Sequence, residues 1–371
     1  MYDETYEEMK ENWKRILDLG PKPFGSEALS QCSHYLEQTL HEITGNACRD
    51  IYKRRAWSAG KWKLEITGHG EHILESYLFL GSGASAGFEG RLRYAGHNRV
   101  WDMYVWDRYS VVDENETILA YITVRGNGEA IPQMLFTGDS ELPHFIVGAD
   151  EADFFAQACE KGLRFRGFAE SEWKENADCI DVVGTIGDGS RKVIVCGHYD
   201  TVYSTPGAYD NAAGAAVVLE LARRLRNYDS EFAIQILLTD GEEFGLQGSK
   251  ARCESGKDDD AVFVLNIDGV GRDNVLEVWS GPEPVERKIR QCLSNSPESF
   301  QAIYKCPPPP GSDHAPYFDK GIPVCMLTFN DQGILHSPKD IYEESKLDNM
   351  AVMVRLSLDL LERMNMIQKR G

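Results

Sequence analysis

The sequence predicts an α/β fold: a mostly parallel mixed sheet sandwiched by helices, with a smaller β-rich inserted domain. Three observations predict it. Residues 192–329 alternate apolar, strand-like runs with helical segments; residues 48–145 break into short strand-like runs between glycine-rich turns; and two amphipathic helices open the chain. A length of 371 residues suffices for one large domain and a smaller companion.

Each element has a local cause. Tyr6, Met9, Trp13, Ile16 and Leu17 recur at helical spacing and predict a helix over 4–19, and Leu29, Cys32, Leu36, Leu40 and Ile43 predict a second over 26–43. Pro21, Pro23 and Gly25 break the chain between them, and Ser26 ahead of Glu27 can start the second helix. Strands are expected at Leu64–Thr67, Tyr77–Leu80, Val100–Trp106, Ile118–Val124 and Gln133–Thr137, then a helix over Ala149–Lys161. Glu170–Ala177 reads as a short polar connection. In the second half, Lys192–Gly197, Phe232–Thr239, Ala261–Ile267 and Pro323–Phe329 read as strands, with a helix over Asn211–Asn227 and a shorter one after the second strand. Strands this continuously apolar are buried on both faces, which argues for parallel pairing under two helical layers. Four consecutive prolines, Pro307–Pro310, form a stiff extended loop.

Composition narrows the function. With 42% hydrophobic and 26% charged residues the chain can bury a sizeable core. Its 39 basic and 59 acidic residues leave a formal charge of −20, a sign that repels phosphate backbones and anionic membranes and argues against a nucleic-acid partner. Such acidity also simply keeps an enzyme soluble. The acidic N-terminus lacks the basic and apolar regions of a secretory signal, and no run of 18 apolar residues occurs, so a cytoplasmic protein that does not enter membranes is expected. Nine cysteines without a C-x-x-C pair suggest neither a disulfide framework nor a cysteine metal site.

In open α/β sheets ligands sit beyond the carboxyl ends of the strands. Four segments bring metal-binding residue types to that rim: Cys196-Gly197-His198-Tyr199-Asp200, Thr239-Asp240-Gly241-Glu242-Glu243, Asn266-Ile267-Asp268-Gly269 and Leu335-His336-Ser337-Pro338. Taken singly, each has a plainer reading. A lone histidine is more often structural, a Glu-Glu pair is usually a solvated face, and Asp210 before Asn211 would most simply cap a helix. Their conjunction points instead to a metal centre of His198, Asp210, Glu243, Asp268 and His336. Imidazole and carboxylate donors suit zinc, and a cocatalytic pair of ions needs one bridging carboxylate with a histidine and an acid on each side. Asp200, two residues from His198, can orient that imidazole, and Glu242, beside a ligand but free of it, can act as the general base.

The ordered set His198-x-Asp200, Gly207-Ala208-Tyr209-Asp210-Asn211-Ala212-Ala213-Gly214, Asp240-Gly241-Glu242-Glu243-x-Gly245-Leu246-x-Gly248-Ser249, Asp268, Ser312-Asp313-His314 before Gly321-Ile322-Pro323, and His336 resembles the M28 family of metallopeptidases throughout 192–340. Pro23-Phe24-Gly25-Ser26-Glu27 is similar to the family's N-terminal region. The resemblance implies a phosphorylase/hydrolase-like sandwich and two zinc ions, cobalt or manganese being substitutes. One ion is held by His198 and Asp268, the other by Glu243 and His336, with Asp210 bridging. It also implies Glu242 as base, a cis peptide between Asp210 and Asn211, and aminopeptidase action on a peptide substrate. Many relatives insert a protease-associated β domain, and the β-rich stretch with Leu142-Pro143-His144-Phe145-Ile146-Val147 is similar to it. The implied catalytic domain is then 1–66 with 176–371, and the insert 67–175.

Two departures stand out. Leu335 occupies a position where some relatives carry an oxyanion-stabilising tyrosine, leaving Tyr317, a backbone N–H or a metal as substitutes. No arginine cluster offers itself to a substrate α-carboxylate, which disfavours carboxypeptidase action. The rivals are a carboxypeptidase or N-acyl amino-acid deacylase, a one-zinc glutaminyl cyclase, and a non-catalytic peptide-binding protein. His41-Glu42 lacks a second histidine, and His69-x-x-His72 lacks a third ligand, so neither is taken as a metal site.

Overall fold

The computed structural model describes residues 6–67, 72–100, 104–134 and 140–370, apart from the side chains of His72, Val100 and Tyr104. Parts of the strands expected at Val100–Trp106 and Gln133–Thr137, and the His69-x-x-His72 pair, lie outside the described residues. The order of elements begins with helices α1 (Glu7–Leu17) and α2 (Glu27–Thr44). Strands β1 (Cys48–Thr67), β2 (His72–Ile73), β3 (Ser76–Leu78), β4 (Ser85–Val100), β5 (Tyr104–Val112), β6 (Ile118–Val124) and β7 (His144–Val147) follow, then α3 (Ala152–Lys161). The second half runs β8 (Arg164–Ile186), β9 (Lys192–His198), α4 (Ala213–Leu225), β10 (Tyr228–Asp229), β11 (Ala233–Thr239), α5 (Gln247–Ser255), β12 (Ala261–Val270) and β13 (Val275–Gly281). It closes with α6 (Glu283–Ser294), β14 (Gln301–Lys305), α7 (His314–Asp319), β15 (Val324–Phe329), α8 (Leu347–Arg363) and β16 (Gln368–Lys369).

Two compact units divide the chain, residues 1–54 with 177–371 and residues 55–176. The chain passes between them inside β1 and β8, so the boundary expected after residue 66 falls within a strand. Glu170–Ala177, expected as a polar connection, is likewise part of β8. Its polarity misled because this stretch is a strand with largely solvated side chains, and a cross-strand contact of Arg55 with Glu175 pairs one of its charges.

In the first unit the sheet order is β14-β13-β15-β12-β9-β11-β8. β9 pairs parallel with both β11 and β12, β12 parallel with β15 and β13 parallel with β14, while β13 runs antiparallel to β15 and the end of β8 antiparallel to β11. The sheet is therefore mixed and mostly parallel, flanked by helices, as the apolar strands predicted. Strand β9 shows why. Ile194 and Cys196 join a core with Leu237, Val264, Val324 and Tyr317 on one face. Val193 and Val195 are equally buried on the other, where α4 brings Val218 against Gly197.

The opening helices match their patterns. Met9, Trp13 and Ile16 are fully buried along α1, and the Ser26 hydroxyl caps α2 by accepting from the Leu29 N–H. In the second unit β4, β5 and β6 form an antiparallel meander extended by β7 and β3. Phe79, Trp106 and Ile146 cluster in its core. Among the described residues no helix is long and apolar enough to cross a membrane. All nine cysteines are free, six of them buried.

Candidate metal centre

His198 is the last residue of β9, and Asp268 lies near the end of β12, which β9 pairs in parallel. The register of β12 against β15 slips between Ile267 and Val270, a local irregularity that re-aims Asp268. Gly269 makes this possible: at φ +78° it adopts a left-handed conformation, and a Cβ there would sit 2.7 Å from the Tyr209 ring. Glu242 and Glu243 follow the end of β11 in a turn whose Gly245 and Leu246 N–H groups both donate to the Glu242 carbonyl. His336 stands in the loop after β15 at φ +57°, a backbone conformation a non-glycine residue holds only when its surroundings fix it.

These segments converge. His198 Nε2 lies 3.0 Å from Asp210 Oδ1 and 3.3 Å from Asp268 Oδ1. His336 Nε2 lies 3.4 Å from Asp210 Oδ2 and 2.9 Å from Glu243 Oε2. Asp210 thus offers one oxygen to each imidazole. Two potential metal-holding groups result, His198 with Glu242 and Asp268, and Asp210 with Glu243 and His336. Consecutive in sequence, Glu242 and Glu243 serve different groups. The ligand atoms within each group lie inside 4.8 Å of one another.

Asp210 does not cap a helix: α4 begins at Ala213 without a side-chain cap, and the Asp210–Asn211 peptide is cis, as the family resemblance implied. Asn211 ties this turn to the strand beside it, its side chain donating to the Ile267 carbonyl and accepting from the Gly214 and Gly269 N–H groups. Asp200 lies 3.4 Å from His198 Nδ1, and it also accepts from the backbone N–H groups of Glu242 and Glu243. Ser312 donates to Asp268 and accepts from the Asn266 amide, while Thr239 donates to Asp313.

The electrostatics call for positive charge. Burial alone would deprotonate both imidazoles, yet Asp268 and Glu242 around His198, and Glu243 and Asp210 around His336, push both well above the ordinary histidine range. Burial pushes Glu243 up to about 7 and Glu242 well above the usual carboxylate range. Against its own burial, Asp210 is held below that range by His198 and His336. Glu243 Oε1 is buried without a hydrogen-bond partner. Carboxylates this crowded and desolvated, with imidazoles between them, are the donor set that zinc takes. The residues present fit the ion.

Sequence reasoning missed one member of the site, and one of the oxyanion candidates it left open is engaged elsewhere. Asp340 is fully buried and accepts from the N–H groups of Tyr209 and Asp210; its position four residues after His336 was the only available signal. Tyr317, considered as an oxyanion donor, donates instead to Asp258 at 2.8 Å within the apolar core beneath α5 and α7. Its phenol is occupied there. His314 is buried, with Nε2 at 2.9 Å from the Pro309 carbonyl. His41 and Glu42 are exposed.

On this mostly parallel α/β sheet, two imidazoles share one carboxylate and form two adjacent groups of side chains that could hold a metal ion. A profile of peptidase family M28 matches residues 181–361, just under half of the chain. Aminopeptidase YwaD of Bacillus subtilis is 28% identical over 229 residues, which are 54% of this chain and 47% of that protein. The BOS complex subunit NCLN of Homo sapiens is 30% identical over 152 residues, 36% of this chain and 27% of that protein. The chain thus spans about half, or less, of the length of these curated relatives. The solved structure of BSAP, a zinc aminopeptidase from Bacillus subtilis, superposes with a TM-score of 0.75 over 98% of this chain and 95% of that one. At 17% identity that likeness speaks for the fold.

Proposed function

We propose that the chain is a two-zinc metallopeptidase that releases N-terminal residues from peptides. The observation that carries this reading is the Asp210 carboxylate, with its two oxygens 3.0 Å from His198 and 3.4 Å from His336, the arrangement of a bridging ligand. His198 and Asp268 would hold one ion, Glu243 and His336 the other. When bound, such ions polarise the scissile carbonyl and ease deprotonation of the attacking water. Glu242 takes that water's proton and delivers it to the leaving amine nitrogen as the C–N bond breaks. Its raised affinity for a proton, caused first by burial, suits this exchange. Asp200 fixes the turn that aims Glu242 and Glu243 through their backbone N–H groups. The carboxylate excess around the two histidines favours a substrate ammonium, hence a free N-terminus.

In the same reading, residues 1–66 with 176–371 are the catalytic domain and 67–175 a protease-associated-like insert. The family and aminopeptidase relatives support peptide hydrolysis. The test is zinc content by mass spectrometry together with hydrolysis of aminoacyl fluorogenic substrates and their N-acetylated counterparts. Two zinc ions per chain with cleavage of the free substrates alone is expected. Preference for the blocked substrates would make it a deacylase. One ion with cyclisation of N-terminal glutamine would make it a cyclase, and no turnover of any substrate by zinc-loaded protein would overturn the enzymatic reading.

A further inference from the structure

Two buried carboxylates each grip a pair of consecutive backbone amides at this site. Asp200, two residues after His198, accepts from Glu242 N–H at 3.1 Å and Glu243 N–H at 3.2 Å. Asp340, four residues after His336, accepts from Tyr209 N–H at 2.6 Å and Asp210 N–H at 3.0 Å, one on each oxygen. The linkage is crosswise. The segment carrying His198 holds Glu243, which faces His336, and the segment carrying His336 holds Asp210, which faces His198. The Asp340 carbonyl also accepts from Ala208 N–H, so all three backbone N–H groups of Ala208–Asp210 donate to this one residue. Lys346 supplies the counter-charge: its Nζ lies 3.2 Å from Asp340 Oδ1, and both side chains are 0% exposed.

We propose that Asp340, neutralised by Lys346, is a positioning residue that sets Asp210 between the two imidazoles before any cation arrives, and so governs zinc affinity. It touches neither substrate nor the reacting atoms. A carboxylate gripping two adjacent N–H groups leaves the turn little freedom, because each oxygen accepts from a different one of them and neither N–H can be released without stranding a buried group. Zinc then meets a preset ligand and does not have to order the turn itself, an ordering cost that would otherwise subtract from its affinity. The inference rests on the reading of the cluster as a zinc centre.

The experiment is a zinc titration of the full chain in competition with a chromophoric chelator. Asp340→Asn keeps the shape and removes one acceptor, and it should weaken zinc binding by about 10–100-fold, the range typical of groups that orient ligands. Lys346→Met should follow it, and Lys346→Arg should restore most of the affinity. A folded Asp340→Asn protein with wild-type affinity overturns the proposal, since a purely architectural role would lower the melting temperature and leave affinity alone. Should neither variant fold, hydrogen exchange on zinc-free wild-type protein decides: slow exchange at Tyr209 and Asp210 N–H supports a preset turn, and fast exchange that slows only with zinc refutes it. A wild-type chain that binds no zinc fails the metallopeptidase reading instead, and the exchange result then judges the turn on its own.

Discussion

Asp210 Oδ1 lies 3.0 Å from His198 Nε2, joining a residue before helix α4 to the last residue of strand β9. The second oxygen of the same carboxylate faces His336 at 3.4 Å. One side chain therefore belongs to both halves of the centre, and its loss cannot be confined to either.

Substituting it should empty both positions. Asp210→Ala is expected to lower zinc content from the proposed two ions per chain toward none, read by elemental analysis after gel filtration, with activity falling in parallel. Loss of a single ion would mean that the two groups are held independently.

Glu242 separates base from ligand. It stands with His198 and Asp268 within metal-holding range, yet its assigned task is proton transfer. Glu242→Gln should keep its zinc and lose turnover by about 10²–10⁴-fold, the usual worth of a positioned acid–base group. Released zinc would make it a ligand, and unchanged turnover would remove it from the chemistry.

Gly214 offers a test through packing. Alanine in a helix ordinarily improves on glycine by about 1 kcal/mol. Here the new Cβ would lie 2.0 Å from Asn211 Oδ1, and that side chain is pinned by Ile267, Gly214 and Gly269. Gly214→Ala should instead destabilise the protein by roughly 2 kcal/mol, read from denaturant midpoints.

The inserted unit has its own acid sensitivity. His144 is buried beside Thr123 and Phe79, and burial, with Arg108 adding to it, brings its imidazole down to about 3. The folded protein then binds fewer protons than the unfolded chain between that value and the unfolded histidine value near 6.5. Its contribution is complete above the unfolded value and is lost as pH falls, by roughly 3 kcal/mol at pH 4. His144→Gln carries no such loss, so the stability gap between it and wild type should narrow across that range in urea titrations. A gap that stays constant would show that His144 takes up a proton without unfolding.

The site was legible wherever chemistry and the sheet rule coincided. His198 and Asp268 stand at the carboxyl ends of apolar strands and Glu242, Glu243 and His336 just beyond them, and parallel strands bring such residues to one rim whatever lies between them. The mostly parallel sheet was legible too, because residues such as Val193 to Cys196 must be covered on both faces. Polar Glu170–Ala177 was misread for the complementary reason: a strand with solvated side chains carries no apolar signature, and its partner's backbone decides its shape.

By itself, then, the sequence determined the order of apolar and polar runs, the two opening helices, and which residue types could meet a cation. Only the tertiary structure decided that Tyr317 turns to Asp258, that Glu242 and Glu243 serve different groups, and that Asp340 holds a turn some 130 residues distant. The reason is range. Periodicity and capping act between near neighbours, whereas a buried carboxylate chooses among whatever donors folding places beside it, and the chain order contains no measure of that distance.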